Sequence, residues 1–227
     1  MMREIVVDTE TTGLNYKGGD RIIEVGCVEL ANHVPTSRTL QFYCFVDKPM
    51  SEGAQNISGI TNEFLKDKKK FSEHYSSFIN FIKNDTLIIH NAEFDIGFIN
   101  NELKLIGKAP IKNKIIDTVP LARKVLNSRI ANLDYLCRRF DVDLSKRKLH
   151  GALLDAELLA EVYLELRGGK QFSMDLSLHK AKEKISKNKK PQNKNEIAKI
   201  KANEQEIRLH KTMVEGIKDA EWKKYNY

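Results

Sequence analysis

The stretch Arg3-Glu4-Ile5-Val6-Val7-Asp8-Thr9-Glu10-Thr11-Thr12-Gly13 decides how the rest of the chain is read. Its apolar run predicts a strand over Glu4 to Thr9, closed by residues that favour a turn. Residues two apart on a strand project to the same face, so Asp8 and Glu10 aim together. Two adjacent carboxylates repel and lose solvation, and a strand end that carries both needs compensating charge, for which a hard divalent cation is the obvious source. A lone pair of this kind is more often a solvated strand terminus, so its meaning depends on what else the chain brings.

Outward from that strand, apolar and amphipathic segments alternate to about Gly169, the pattern of an α/β domain around a central sheet. The expected strands are Glu4 to Thr9, Ile22 to Leu30, Leu40 to Val46, Thr86 to His90 and Lys114 to Ile116. The expected helices are Ser72 to Lys83, Glu93 to Ile106, Val119 to Leu126, Leu133 to Phe140 and Ala152 to Leu166. The first three strands follow one another through short links, which predicts an antiparallel unit, while the later ones are separated by helices and can pair in parallel. A mixed sheet flanked by helices is therefore expected.

Gly168 and Gly169 form a natural helix stop. Ser177 through Asn195 is rich in Lys, Asn and Ser and reads as a flexible basic linker. Ile197, Ile200, Ile207, Val214 and Ile217 then recur near helical spacing and Trp222 follows, giving a short helical tail over 196–227 that is too small for its own core. The expected organisation is a domain over 1–170, a short segment over 171–176, the linker over 177–195 and the tail.

Two further acidic pieces lie within the domain. His90-Asn91-Ala92-Glu93-Phe94-Asp95 joins a strand end to a helix, which puts Asp95 in the first helical turn, and strand ends in such sheets are where sites form. His150-Gly151-Ala152-Leu153-Leu154-Asp155 leaves His150 on a loop and carries Asp155 in the opening turns of a strongly apolar helix. Singly, Asp95 and Asp155 read as helix-dipole acids and His90 as a packed histidine. Their combination with Asp8 and Glu10 changes that reading.

Composition adds less. The chain has 38 Lys and Arg against 31 Asp and Glu, a formal charge of +7. This suits a polyanion-binding protein, but much of the excess lies in the lysine-rich stretch late in the chain, and charge by itself does not select nucleic acid. Cys27, Cys44 and Cys137 stand far apart without a CxxC pair, so they read as buried free thiols. No run of about eighteen apolar residues and no signal-peptide pattern occurs, and a soluble, cytoplasmic protein with no membrane contact is expected.

In order, DxE, NxxFD and HxxxxD resemble the three motifs of the DEDD exonuclease superfamily, in its histidine-bearing branch. Asp8, Glu10, Asp95, His150 and Asp155 fill all five signature positions. The likeness extends to DTETTG, HNAEFDIGF, the stretch Asn132 to Cys137, and SKRKLHGALLDAELLAEVYLEL through Leu166, which look like the family of proofreading epsilon subunits of bacterial polymerase III. It covers nearly the whole of the expected domain.

That resemblance implies a ribonuclease H-like fold and a 3′-to-5′ exonuclease acting on single-stranded DNA ends with two Mg²⁺ or Mn²⁺ ions. Asp8, Glu10 and Asp155 would hold the ion beside the attacking water. Asp8 would also reach a second ion supported by Asp95, and His150, with an ordinary imidazole pKa of about 6.5, would be the general base. Asp8, Glu10, Gly53, Ser58 and Asp155 would contact the terminal nucleotide. Relatives often carry glutamate and histidine where Gly53 and Ser58 align, so fewer side-chain contacts are expected there. Leu14, Phe94, Phe98 and Tyr135 are candidates for apolar or stacking surface, with Phe98 reading better as core.

The implied partners are the polymerase III alpha subunit through the tail and the sliding clamp through Gln171-Phe172-Ser173-Met174-Asp175-Leu176. The small theta subunit is a third where an organism has one. Three rivals are an RNA-trimming enzyme of the same superfamily, a non-catalytic replisome scaffold and a basic nucleic-acid-binding module. The full set of acids weighs against the last two, and the extended match with a tethered tail weighs against the first.

Overall fold

The computed structural model describes residues 2–145, 147, 149–168 and 203–216. They fall into two units that divide between 175 and 176. In chain order the first contains β1 (Arg3–Thr11), a 3₁₀ turn (Tyr16–Gly18), β2 (Ile22–Ala31), β3 (Val34–Tyr43), α1 (Glu52–Ser58), α2 (Asn62–Leu65) and α3 (Phe71–Ile82). It continues with β4 (Thr86–Ile89), α4 (Ala92–Leu105), β5 (Ile115–Asp117), α5 (Thr118–Leu126), α6 (Leu133–Arg139) and α7 (Ala152–Leu166). The second unit contributes α8 (Glu204–Gly216).

The sheet runs β3-β2-β1-β4-β5. β1 pairs antiparallel with β2, which pairs antiparallel with β3, while β1–β4 and β4–β5 are parallel. This is the mixed sheet that the spacing of strands and helices predicts. Side chains alternate across it. Ile5 and Val7 point into one core with Val25, Leu87, Phe78, Phe98 and Leu103 of β2, β4, α3 and α4. Val6 points into the other with Val28, Ile88, Leu159 and Tyr163. The same alternation sends Thr9 toward the α4 layer and Asp8 and Glu10 toward the α7 layer, at the end of β1 where both cores open.

Glycine decides how near α7 can come. A Cβ on Gly26 of β2 would lie 2.2 Å from the Ala152 carbonyl carbon, so only glycine lets the first turn of α7 rest on the sheet. Gly26 is the register partner of Asp8, and this contact therefore brings Asp155 beside the acids of β1.

Three expectations change. β1 runs on to Thr11, and β3 begins at Val34 because Asn32 and His33, both with positive φ, make a tight hairpin from β2. The segment 51–65 folds as two short helices, each started by a hydroxyl cap: Ser51 accepts from the Ala54 N–H and Thr61 from the Phe64 N–H. The cysteines are buried and free, as expected. The segment Gln171 to Leu176 and the linker 177–195 lie outside the described residues, as do 196–202 and 217–227 of the tail. Of the tail's recurring apolar residues, α8 carries Ile207 and Val214.

Candidate active site

Each acid is delivered by a different local device. β1 places Asp8 and Glu10, both half-buried, on one face. Asp95 sits in the first turn of α4, 3% exposed, and its Oδ1 accepts a 2.7 Å hydrogen bond from the Thr9 hydroxyl on the other face of the same strand. The start of α4 is held by Asp117, whose carboxylate accepts from the N–H groups of Asn91 and Ala92 at 3.2 and 3.0 Å. Asp155 lies in the first turn of α7, 4% exposed. Glu24, the register partner of Glu10, accepts from the Ala152 N–H at 3.1 Å and so caps that helix from the sheet.

His150 stands on the exposed loop before α7, and its N–H donates to the Ile57 carbonyl at the end of α1, at 3.0 Å. Ligand atoms of Glu10, His150 and Asp155 all come within 4.8 Å of one another. Asp8 faces the same cleft, of about 280 Å³, with His90, Asn132, Leu133, Asp134, Arg147, His150 and Asp155.

The electrostatics of Asp8, Glu10 and Asp95 are alike. Burial, followed by the charges of Asp95, Asp155, Glu10 and Glu24, pushes the Asp8 carboxyl well above the usual range. Burial and the charges of Asp155, Glu24 and Asp95 push Glu10 up to about 8. Burial raises Asp95 to about 7 despite the hydrogen bond from Thr9. An acidic cluster in which desolvation and mutual repulsion both oppose ionisation is one that a cation relieves. Its donors are carboxylate oxygens, the set that hard divalent ions accept. The residues present therefore fit a divalent metal.

His90 does not join the set. Its Nδ1 lies 2.8 Å from the Thr118 hydroxyl, and burial lowers its pKa, as for the packed histidine the sequence suggests. Ser58 is buried, its hydroxyl donating to the Ala54 carbonyl at 2.9 Å and accepting from the Ile60 N–H at 3.2 Å. Gly53 is exposed on α1. Phe98 is core, Phe94 and Tyr135 are partly buried, and Leu14 is 84% exposed.

The family model described as Exonuclease (RNase_T) matches residues 5–163. DNA polymerase III subunit epsilon of Rickettsia felis is 44% identical over 222 residues, 95% of this chain and 97% of that protein. The chain belongs to the epsilon-subunit family of exonucleases. The Escherichia coli epsilon subunit is 44% identical over 184 residues, 78% of this chain and 75% of its own. Among solved structures, the nuclease domain of 3′hExo, a DEDDh family member bound to rAMP, superposes with a TM-score of 0.63 at 18% identity. That match spans 73% of this chain and 91% of the 3′hExo chain, and it shows the shared ribonuclease H-like fold. As an epsilon-family chain, this protein is a 3′-5′ exonuclease that depends on divalent metal.

The residues that hold these acids in place carry weaker signals in the sequence. Glu24 was open to discovery, since antiparallel pairing puts it opposite Glu10. Asp117 begins Asp-Thr-Val-Pro, a helix-start pattern that points to a cap. Nothing distinguished Arg147 from the lysines on either side of it.

Proposed function

We propose that the chain is the proofreading subunit of a bacterial replicative polymerase and trims unpaired 3′ ends of DNA. The observation that carries this reading is the meeting of Glu10, His150 and Asp155 within 4.8 Å, beside Asp8, in an epsilon-family chain. Asp8, Glu10, Asp95 and Asp155 are assigned to hold two Mg²⁺ or Mn²⁺ ions. When bound, such ions stabilise the charge that develops on the phosphate and make water a stronger acid. His150 is assigned as the general base. Its Nδ1 lies 3.3 Å from Asp155 and 3.1 Å from Arg147; in the tautomer whose Nδ1–H donates to Asp155, Nε2 is the nitrogen that takes the proton.

The terminal nucleotide is assigned to the same cleft, with Asp8, Glu10 and Asp155 on its phosphate side. Gly53 and Ser58 would take part through backbone: Gly53 has no side chain, and the Ser58 hydroxyl is committed within its own turn. Leu14, Ile57 and Leu149 are exposed and offer apolar surface to a base.

Purified chain incubated with 3′-labelled single-stranded DNA or RNA, with and without Mg²⁺, tests this reading. Metal-dependent shortening of DNA from the 3′ end, faster than that of RNA, is expected. Faster RNA trimming would favour the rival substrate class.

The partners follow from the family and the tail. α8 exposes the apolar residues Ile207 and Met213, which suit a polymerase alpha subunit. Deleting 195–227 should spare hydrolysis of free DNA and abolish co-purification with the alpha subunit; retained association would move that contact to the nuclease domain. Gln171 to Leu176 is assigned to the sliding clamp, and loss of clamp-dependent proofreading in Gln171→Ala would support it, whereas an unchanged rate would remove it. Theta, where present, would bind the nuclease domain, and its failure to co-purify with residues 1–170 would remove it. Among the described residues no helix is long and apolar enough to cross a membrane, and we assign the chain to the cytoplasm with its replication partners. Fractionation with the membrane pellet would contradict that.

A further inference from the structure

We propose that Arg147 is the positioning residue of this site, setting Asp155 for the divalent ion and His150 for proton transfer. This rests on the metal-site reading above. The Arg147 side chain is 8% exposed although it belongs to a surface loop. Its Nε donates to Asp155 Oδ1 at 2.6 Å and its Nη2 to Asp155 Oδ2 at 2.7 Å, a two-pronged grip on one carboxylate. Nη1 pairs with Asp134 of α6, and Nη2 lies 3.1 Å from His150 Nδ1. One planar group thus ties α6, the His150 loop and the first turn of α7 together.

The chemistry suits positioning. A carboxylate offers about four acceptor directions, and a fork that takes one from each oxygen leaves the others open. Lysine, a point charge on a flexible stem, cannot reproduce the fork. The grip also fixes the side of the ring on which His150 faces Asp155. Asp134, whose side chain is 45% exposed, touches neither Asp155 nor the acids of β1 in the hydrogen bonds described, so its contribution runs through Arg147. The opposing possibility is that the guanidinium is a rival cation that a metal must displace from Asp155. The two differ in sign.

The experiment is a calorimetric Mn²⁺ titration of the full chain, wild type against R147Q, R147K, D134N and the R147Q/D134N double variant, with kcat, KM and circular dichroism on the same samples. Supporting partners of metal ligands are worth about 10–100-fold in metal affinity. R147Q and R147K are both expected to lose affinity within that range and to lower kcat more than KM, with unchanged dichroism. D134N is expected to lose less, and its effect should vanish in the R147Q background. Tighter Mn²⁺ binding by R147Q would make Arg147 a competitor and overturn the proposal. Wild-type affinity in R147Q, or full rescue by R147K, would overturn it too. A wild-type chain that binds no Mn²⁺ would instead refute the metal-site reading on which it stands.

Discussion

The two ends of β1 bury acids on opposite terms. At the start of the strand, the Arg3 guanidinium pairs with Glu29 and Asp85 and donates to the Phe81 carbonyl at 2.9 Å. Glu4, 2% exposed, meets the Tyr163 hydroxyl at 3.0 Å and His33 Nδ1 at 2.7 Å. Burial alone would raise the Glu29 carboxyl, yet hydrogen bonds from Arg3 and Thr36 and the nearby charges hold it below its ordinary value. At the other end, burial drives Asp8, Glu10 and Asp95 upward, helped by the charges of neighbouring carboxylates, Asp117 in the case of Asp95. At the start of the strand each acid meets a cationic or hydroxyl partner, whereas at its end Asp8 and Glu10 crowd with further acids at a cleft, where only Asp95 has a hydroxyl partner in Thr9 and only Asp155 a guanidinium in Arg147.

The sharpest way to break this comparison is to remove an acid from the cleft end. Asp8→Ala and Asp155→Ala are each expected to abolish nuclease activity while the domain stays folded by circular dichroism. Activity near wild type in D8A with Mg²⁺ would mean that the cluster is not the catalytic site. His150→Ala should bind metal yet lose about 10²–10⁴-fold in rate, the usual worth of a general base. Unchanged turnover would take His150 out of the mechanism.

The paired end should respond in stability. Arg3→Ala leaves Asp85 without its guanidinium and Glu29 with Arg38 alone, and with side-chain exposures of 22%, 9% and 25% for Arg3, Glu29 and Asp85 the loss is discounted for solvent to about 1–3 kcal/mol. Turnover by the folded fraction should not change. Conversely Asp8→Asn, which removes an unfavourable charge, is expected to raise stability in chelator by about 0.5–2 kcal/mol while abolishing activity. Urea denaturation with and without EDTA measures both, and destabilisation of D8N would erase the distinction between the two ends.

How much of this was legible in the sequence follows the same division. The five motif residues could be read because each sits at a junction with a strong local signature: a strand end, a strand-to-helix step, and Gly-Ala-Leu-Leu-Asp at a helix start. The mixed sheet was legible from the spacing of its apolar runs. The hairpin at Asn32-His33 leaves little trace in the sequence because Val34 to Thr39 is largely exposed and carries little apolar signal. α1 and α2, at 7 and 4 residues, are too short to show a period and depend on the Ser51 and Thr61 caps. Glu24 and Thr9 act through residues distant in sequence, Ala152 and Asp95, and that pairing exists only once the chain has folded, while Arg147, near its partners in sequence, is one basic residue among three in a row.

The smallest expected effect concerns pH and gives the comparison a sign. Glu10 moves from an ordinary 4.5 to about 8 and Asp95 from 3.8 to about 7, so the folded chain binds these protons more tightly than the unfolded one. Stability from such groups is complete below about pH 4 and is lost as pH rises through 7 to 8. The Glu29 end has the opposite sign: its lowered pKa contributes stability that is present above 4.5 and lost as pH falls. In EDTA, therefore, the cleft acids should lower Tm between pH 5 and pH 8, on the order of 2–4 °C per kcal/mol for a domain of this size. Mn²⁺ competes with protons for the same oxygens, so the decline should flatten when the ion is present. Glu10→Gln removes one of the titrating groups and should flatten it without metal. A wild-type melting curve in EDTA that holds or rises from pH 5 to pH 8, with E10Q indistinguishable from it, would show that the acids at the end of β1 are no less comfortable than those at its start.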